Sequence, residues 1–236
     1  MFKDTFLAAL GAWQRGWRED QSKRVQLAAD LETEISELQP QFRRVDTPCY
    51  RKRFLHPADL PKLFFEGALY EGITSWTTDF TYAQEFKGLQ RDNAVTAAIF
   101  SHRPSPEEVL VNITALWQNP TFRASANAYK ERGGEHSDAL FNFADKQGEV
   151  ILSAPVRLPD ILGFTGKSSP FDDLCDQAGI HGDDKRDLIF KQLVQTGKFP
   201  EQYQWILQAR ALRVVSNSID RIMEVLDNLS KPKNDP

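Results

Sequence analysis

The stretch KQGEVILSAPV, residues 146–156, combines a buried-strand pattern with polar residues at its entry. Residues 150–152 are Val, Ile and Leu, a short apolar run that is typical of a buried strand. Glu149 stands directly before this run, after a glycine. Gln147 lies two residues earlier, so on an extended chain it points to the same face as Glu149. Two interpretations follow: both side chains sit at a solvated strand end, or both point into a site.

Length and composition indicate an ordinary globular protein. With 236 residues, the chain can form one large domain, or a core with a small helical appendage. A hydrophobic content of 41% with 16 Phe supports an aromatic-rich core, and 26% charged residues suit a solvated surface. The net charge of −4 argues against binding to nucleic acid by bulk electrostatics. The basic cluster within residues 43–53 is expected to be a solvated face with ion pairs.

We expect a cytoplasmic protein that does not bind a membrane. The first thirty residues mix charges of both signs and contain no apolar run long enough for a signal peptide or a membrane span. Cys49 and Cys175 are far apart in sequence and are expected to be buried thiols.

Several signatures of cofactor and catalytic sites are absent from the sequence. The segment GFTGKSS, residues 163–169, ends like a phosphate-binding loop, but Ile161 stands where the first glycine would be required. Neither a GxGxxG nor a GxSxG motif occurs. The histidines lack paired-ligand spacing, so no metal site is predicted; they are His56, His102, His136 and His181.

Three kinds of sequence pattern follow one another along the chain, and together they predict an α+β architecture. Apolar residues at helical spacing predict two helices, or one interrupted helix, over residues 4–39, ended by Pro40. Short β-rich runs then alternate with turns, and after Pro170 helices are predicted over residues 184–196, 201–215 and 218–229. The expected segments are an N-terminal helical one (1–40), a catalytic core (41–169) and a C-terminal helical one (170–236).

Three features at predicted strand ends occur in a fixed order. The first is Tyr50-Arg51 in CYRKRFL, the second is GITSWTTDFTYAQEF over residues 72–86, and the third is the Gln-Gly-Glu of residues 147–149. Together they resemble the ADP-ribosyltransferase toxin family. That family carries an aromatic-Arg pair on its first strand, a Ser-x-Ser/Thr strand end followed by a helix, and a Gln-x-Glu or Glu-x-Glu opening a later strand. The middle motif reads Ser-Trp-Thr here, where the family has Ser-Thr-Ser.

The resemblance implies a fold and a set of roles for the motif residues. The family's fold is a split antiparallel sheet whose two halves grip NAD, so an α+β core of this type with helices at both ends is expected. In the family, the arginine holds the phosphates of NAD, the serine orients the glutamate, the glutamate contacts the nicotinamide ribose, and the glutamine faces the acceptor. By resemblance, the NAD-binding residues would be Arg51, Tyr50 and Thr77, and the catalytic residues would be Glu149, Gln147 and Ser75.

These residue types suit the chemistry. Cleavage of the nicotinamide–ribose bond builds positive charge on the sugar, which a fixed carboxylate such as Glu149 stabilises. Arg51 offers a planar, permanently charged fork for a pyrophosphate. Simpler roles stay open: Arg51 as a surface cation, Trp76 as part of the core, and residues 77–79 as the N-cap of a helix over residues 81–86.

The sequence therefore predicts an NAD-dependent mono-ADP-ribosyltransferase that modifies a macromolecule. By resemblance, Gln147 implies an acceptor other than arginine, either a protein side chain or a base of RNA or DNA. A toxin restrained by an antitoxin protein, as in phage defence, is the expected setting. The segment 118–146 leads into Gln147 and interleaves basic with aromatic residues, which either bind single-stranded nucleic acid or anchor the segment to the core; they are Arg123, Lys130, Arg132, Phe122, Tyr129, Phe141 and Phe143.

Two alternatives stay open from the sequence. An NAD glycohydrolase would use the same residues but pass the ribosyl cation to water. A non-catalytic interaction protein would dock a partner through its helical ends, and its Arg51, Ser75 and Glu149 need not meet.

Overall fold

The computed structural model describes residues 1–16, 21–144, 146–168, 171–196 and 202–207. The helices are α1 (Asp4–Arg15), α2 (Gln21–Glu34), α3 (Asp59–Phe65), α4 (Phe80–Glu85), α5 (Ile113–Gln118), α6 (Pro120–Glu131), α7 (Ser137–Phe143), α8 (Phe171–Gln177) and α9 (Asp183–Gln195). The strands are β1 (Cys49–Leu55), β2 (Ala68–Leu69), β3 (Ile73–Thr77), β4 (Thr96–His102), β5 (Val109–Asn112), β6 (Glu149–Ser153), β7 (Val156–Arg157), β8 (Ile161–Ser168) and β9 (Gln202–Leu207).

The described chain is a mixed α+β protein. Seven strands form a mostly antiparallel sheet in the order β5-β6-β3-β1-β4-β8-β9, and β2 pairs with β7. The predicted α+β class is confirmed, whereas the ADP-ribosyltransferase type of that class stays a prediction.

The chain divides into two compact units. The first comprises Met1–Lys52, Gly67–Phe86 and Phe100–Asp160, and the second comprises Arg53–Glu66, Lys87–Ile99 and the described residues from Ile161 onward. All the residues of the candidate site belong to the first unit. The three consecutive segments expected from the sequence stay a prediction.

The core of the first unit is built from the N-terminal helices and the strands beside the site. Phe6, Leu10 and Trp13 follow the helical spacing of α1 and are buried, as the sequence predicts. A short 3-10 turn, Ile35–Glu37, follows α2, and a second one begins at Pro40. Trp17, which continues this helical spacing in the sequence, lies outside the described residues.

Strand β6 forms as its apolar run predicts. Residues 150–152 are fully buried, and β6 lies between β3 and β5 with antiparallel pairing to both. On β3, Trp76 is part of the core, and its indole N–H donates to Thr74 Oγ1 at 3.0 Å. The helix after β3 begins where the sequence indicates, because the Asp79 side chain caps α4 by accepting from the Tyr82 backbone N–H.

The segment 118–146 is mainly helical, and its role in binding an acceptor stays a prediction. Helix α6 covers residues 121–130, where the sequence itself has a helical pattern, and α7 follows it. Phe122 and Tyr129 are buried in the core of the first unit, which confirms that the aromatic residues anchor the segment. The run EVLVNITALW, residues 108–117, predicts a strand, but the strand ends at Asn112, whose side chain caps α5.

The described residues of the C-terminal part are only partly helical. Helix α9 confirms the helix predicted over residues 184–196. Residues 202–207 form strand β9, paired with β8, where the sequence predicted a helix over 201–215. The helix predicted over 218–229 lies outside the described residues. Within the described part of the chain, no helix has the length and apolarity needed to cross a membrane.

Candidate active site

The register of three adjacent strands brings the motif residues together. Tyr50 on β1 is opposite Thr77 on β3, and Thr77 is opposite Glu149 on β6. Ser75 pairs with Ile151, so it is the diagonal neighbour of Glu149 on the same face, close enough for side-chain contact. The Ser75 hydroxyl donates a hydrogen bond of 2.6 Å to Glu149 Oε1. A separation of 74 residues in sequence is thus closed by strand pairing.

A constrained turn delivers Glu149 to this position. Gly148 has a φ of +54°, and a Cβ atom there would lie 2.6 Å from the Thr78 hydroxyl oxygen. The backbone N–H of Thr78 donates to the Gly148 carbonyl at 2.9 Å, and the Thr77 hydroxyl donates to the Gln147 carbonyl at 2.5 Å. The turn is therefore held from β3, and Glu149 is 8% exposed rather than solvated at the strand end.

Helix α1 supplies two further partners of the site. The Gln14 side-chain amide donates to Glu149 Oε2 at 3.1 Å, so both carboxylate oxygens of Glu149 accept a hydrogen bond. The Trp13 indole N–H donates to Ser75 Oγ at 3.2 Å. The helical spacing of the sequence favours a core position for Trp13 and gives no signal for Gln14, because these contacts join residues that are 62 and 135 positions apart in sequence.

Arg51 is part of the framework of the site. Its Nη1 donates to the Ser75 carbonyl at 2.8 Å, and its Nε and Nη2 donate to Glu71 Oε2 at 3.2 and 2.8 Å. The side chains of Arg51 and Glu71 are only 18% and 12% exposed. Arg51 is therefore not one more solvated surface cation, and the sequence gave no signal for Glu71.

One pocket of about 140 Å³ collects all six residues expected at the site. It is lined by Tyr50, Arg51, Ser75, Thr77, Gln147 and Glu149, together with Lys52, Trp76, Tyr82, Ala83 and Phe86. Gln147 is partly exposed there. Thr77 also lines the pocket, but its hydroxyl serves the backbone, since it accepts from the Asp79 N–H besides donating to the Gln147 carbonyl. The expected convergence is present, and the roles of these residues stay predictions.

Burial shifts two titratable groups in this pocket. It lowers the pKa of the Lys52 ammonium to about 8, even though Nζ donates to the Gln84 carbonyl at 2.9 Å. Burial raises the pKa of the Tyr82 phenol, and the negative charge of Glu149 raises it further by a smaller amount. Tyr50 packs its ring against Phe80, with the centroids 5.2 Å apart.

The arrangement presents a fixed carboxylate and a fixed guanidinium beside an aromatic wall. Such a set can stabilise a positively charged sugar and contact an anionic group of the same substrate. Among the described residues, no group of three or more His, Cys, Asp or Glu is placed to hold a metal ion. No protein-family model matches the sequence, and no curated protein and no solved structure matches it either.

Proposed function

We propose that the protein is an NAD-dependent mono-ADP-ribosyltransferase with a split-sheet core of the ADP-ribosyltransferase type. The observation that carries the proposal is the 2.6 Å hydrogen bond from Ser75 to Glu149, in a pocket that Arg51 and Gln147 also line. Three short motifs, each common alone, thus converge in the order and with the contact that the family's chemistry requires.

In the proposed reaction, the bond between the ribose C1′ and the nicotinamide nitrogen breaks. Its electron pair leaves with nicotinamide, which becomes neutral, and positive charge develops on the ribose. The carboxylate of Glu149, held by Ser75, stabilises that charge more than it stabilises the ground state. A nucleophile of the acceptor then donates its electron pair to C1′ and loses a proton, which completes the transfer of ADP-ribose.

The pocket suits part of NAD. Its volume of about 140 Å³ is below the roughly 300–1,000 Å³ of sites that bury a drug-sized ligand, so it would take the nicotinamide end rather than the whole of NAD. The aromatic side chains of Tyr50 and Tyr82 offer a wall for the ring. Arg51 has five N–H donors, and its hydrogen bonds to Ser75 and Glu71 engage three nitrogens through one N–H each, which leaves two N–H groups for a phosphate.

A protein side chain other than arginine is the favoured acceptor. Stacking of nucleic-acid bases on the 118–146 segment would require solvent-facing aromatic rings, whereas Phe122 and Tyr129 are buried. Two of its basic side chains are ion-paired, Arg132 with Asp4 and Lys130 with Asp138. A toxin restrained by an antitoxin protein in the cytoplasm remains the proposed setting.

The first prediction is that Glu149→Gln abolishes NAD cleavage while the fold is kept. Loss of the carboxylate removes transition-state stabilisation, and we expect the rate to fall about a hundredfold or more. The protein is incubated with NAD labelled in its adenylate part and a cell lysate, and labelled polymer and free ADP-ribose are quantified. Glu131→Gln, at an exposed position of α6, is the matched control and should retain the wild-type rate.

The same assay separates the alternatives. Label that is released by protease marks a protein acceptor, and label released by nuclease marks a nucleic acid. Label found only as free ADP-ribose identifies an NAD glycohydrolase. Intact NAD in the presence of wild-type protein contradicts the proposal and favours a non-catalytic interaction protein.

A further inference from the structure

We infer that Gln14 and Trp13 on α1 are positioning residues for the pair formed by Glu149 and Ser75. This inference rests on the proposed function and deepens it, because it assigns control of the reacting carboxylate to a helix outside the three motifs. Neither residue is among those that line the described pocket, so both act through the residues they contact rather than on the substrate.

The Gln14 amide has an orientation that the carboxylate dictates. Its Nε2 donates to Glu149 Oε2, and a flipped amide would instead bring two acceptor oxygens face to face. In this orientation Gln14 Oε1 is buried and has no hydrogen-bond partner within the part of the chain that the structure describes. A buried acceptor without a partner is unfavourable, so an apolar residue would serve packing better than glutamine at this position. What glutamine contributes at this position is the N–H donor that it presents to Glu149.

Trp13 acts on the same carboxylate through Ser75. Because Ser75 Oγ accepts the indole N–H of Trp13, its own proton is directed to Glu149 Oε1. The two carboxylate oxygens are therefore held along two separate routes, and both begin on α1. A carboxylate fixed in one rotamer stabilises a developing cation without reorganising during the reaction. Arg51, Lys52 and Tyr82 line the same pocket as Glu149, and the charge of Glu149 contributes to the raised pKa of Tyr82.

The test substitutes Gln14→Leu, which keeps similar bulk and removes both polar atoms, and Gln14→Asn, which keeps the amide but shortens its reach. For Gln14→Leu we expect kcat of NAD cleavage to fall about 10- to 100-fold with KM for NAD within about twofold, because displacement of a reacting group costs rate rather than binding. For Gln14→Asn we expect a kcat between that of the wild type and that of Gln14→Leu. Gln26→Leu is the matched control, since Gln26 also donates to a carboxylate, Asp30, but at an exposed position of α2.

A parallel pair tests the second route. Trp13→Phe removes the donor to Ser75 and keeps an aromatic ring, and we expect kcat to fall about tenfold, following the same reasoning on misplacement. Trp117→Phe makes the same change where the indole nitrogen is buried without a hydrogen-bond partner among the described residues, and kcat should be unchanged. Wild-type kcat in both Gln14→Leu and Trp13→Phe overturns the inference.

A readout independent of NAD separates this inference from the proposed function. NMR relaxation of the Glu149 side-chain methylenes reports their order, which should fall in Gln14→Leu and stay at the wild-type level in Gln26→Leu. If the wild type does not cleave NAD but this loss of order is seen, the positioning role stands and the proposed function fails. If NAD is cleaved and the order of Glu149 does not change, the positioning role is overturned and the proposed function stands.

Discussion

Gly148 sets the most stringent local requirement of the site. Its left-handed φ of +54° places the Glu149 backbone at the start of β6, and its missing Cβ leaves room for the Thr78 hydroxyl. Because the turn is also held by hydrogen bonds from Thr77 and Thr78, a displacement of Gly148 is passed directly to Glu149.

We predict that Gly148→Ala lowers both stability and the rate of NAD cleavage. The left-handed backbone costs alanine about 1–2 kcal/mol, and the contact with Thr78 adds to that cost. Gly133→Ala is the control, because Gly133 has a φ of +73° but a Cβ there would meet nothing within 4 Å. Denaturant unfolding should give a larger loss for Gly148→Ala, and only this variant should lose activity. Equal losses of stability with full activity in both would contradict the role of the turn.

Lys52 gives a prediction about pH. Burial lowers its pKa to about 8 from an ordinary value of 10.5. Below pH 8 the ammonium is charged in both the folded and the unfolded protein, so the free-energy cost of burying a charge fully destabilises the folded state. Between these two values the unfolded chain binds more protons than the folded chain, so stability rises with pH through this window, and above it the cost is gone.

The measurement compares the free energy of unfolding of the wild type and Lys52→Met from pH 7 to 11. We expect Lys52→Met to have the higher free energy of unfolding, with a difference from the wild type that is largest near neutral pH and shrinks between pH 8 and 10.5. Tyrosines also titrate in this pH range, and the pKa of Tyr82 is raised by burial and by Glu149. Both proteins contain the same tyrosines, so subtracting one free energy of unfolding from the other removes their contribution. An advantage that is constant with pH would refute the buried ammonium.

The residues that the sequence could and could not predict differ in a physical way. Glu149, Ser75 and Arg51 were predictable because each belongs to a short motif that is visible locally: Glu149 begins β6, whereas Ser75 and Arg51 lie within β3 and β1. Gln14 contacts Glu149 across 135 residues of sequence, and no local pattern encodes that contact. Arg51 was identified without its partner Glu71, since one carboxylate among many carries no distinguishing signal.

Helices and strands were predictable where one periodicity dominates. The apolar spacing of α1 and the run in β6 have single interpretations. The sequence of β9, with Tyr203, Trp205 and residues 206–207, also fits a helical spacing continued into later residues, and pairing with β8 decides in favour of a strand. Helix α7 was missed because its left-handed N-terminal residue, His136, follows two glycines that indicate a turn.

A glycine, Gly11, allows helix α1 to lie close to the start of α7. A Cβ on Gly11 would lie 2.7 Å from the His136 carbonyl oxygen, a backbone atom that cannot move alone. Gly11→Ala should therefore displace α1, destabilise the protein by about 1–3 kcal/mol through overpacking, and lower NAD cleavage by shifting Trp13 and Gln14.

The control for this change is Gly166→Ala on β8. The Cβ there would lie 3.0 Å from the end of the Ile206 side chain, which can rotate away, and alanine suits a strand better than glycine does. Thermal unfolding and NAD turnover are measured for both variants. Activity at the wild-type level in a destabilised Gly11→Ala protein would show that α1 supports the fold but not the site.

The charge of the whole protein bears on the acceptor. The net charge is −4, and several basic side chains are already ion-paired, among them Arg44 with Asp46 and Arg132 with Asp4. A protein that holds nucleic acid through six to ten phosphate contacts loses about 10³–10⁵ in affinity between roughly 50 and 200 mM salt, because bound counterions are released. A protein acceptor recognised at the rim of the pocket by Gln147 carries no such requirement.

We therefore predict that transfer of ADP-ribose to the macromolecular acceptor changes by less than about threefold between roughly 50 and 200 mM salt, a range in which phosphate-dominated binding would weaken about a thousandfold or more. Because Arg51 is proposed to contact the phosphates of NAD itself, the quantity to measure is the ratio of transfer to cleavage of NAD by water at each salt concentration. That ratio cancels any effect of salt on NAD binding and isolates recognition of the acceptor. A steep fall of the ratio, together with label that nuclease releases, would assign the acceptor to RNA or DNA; a flat ratio with label that protease releases would assign it to a protein side chain.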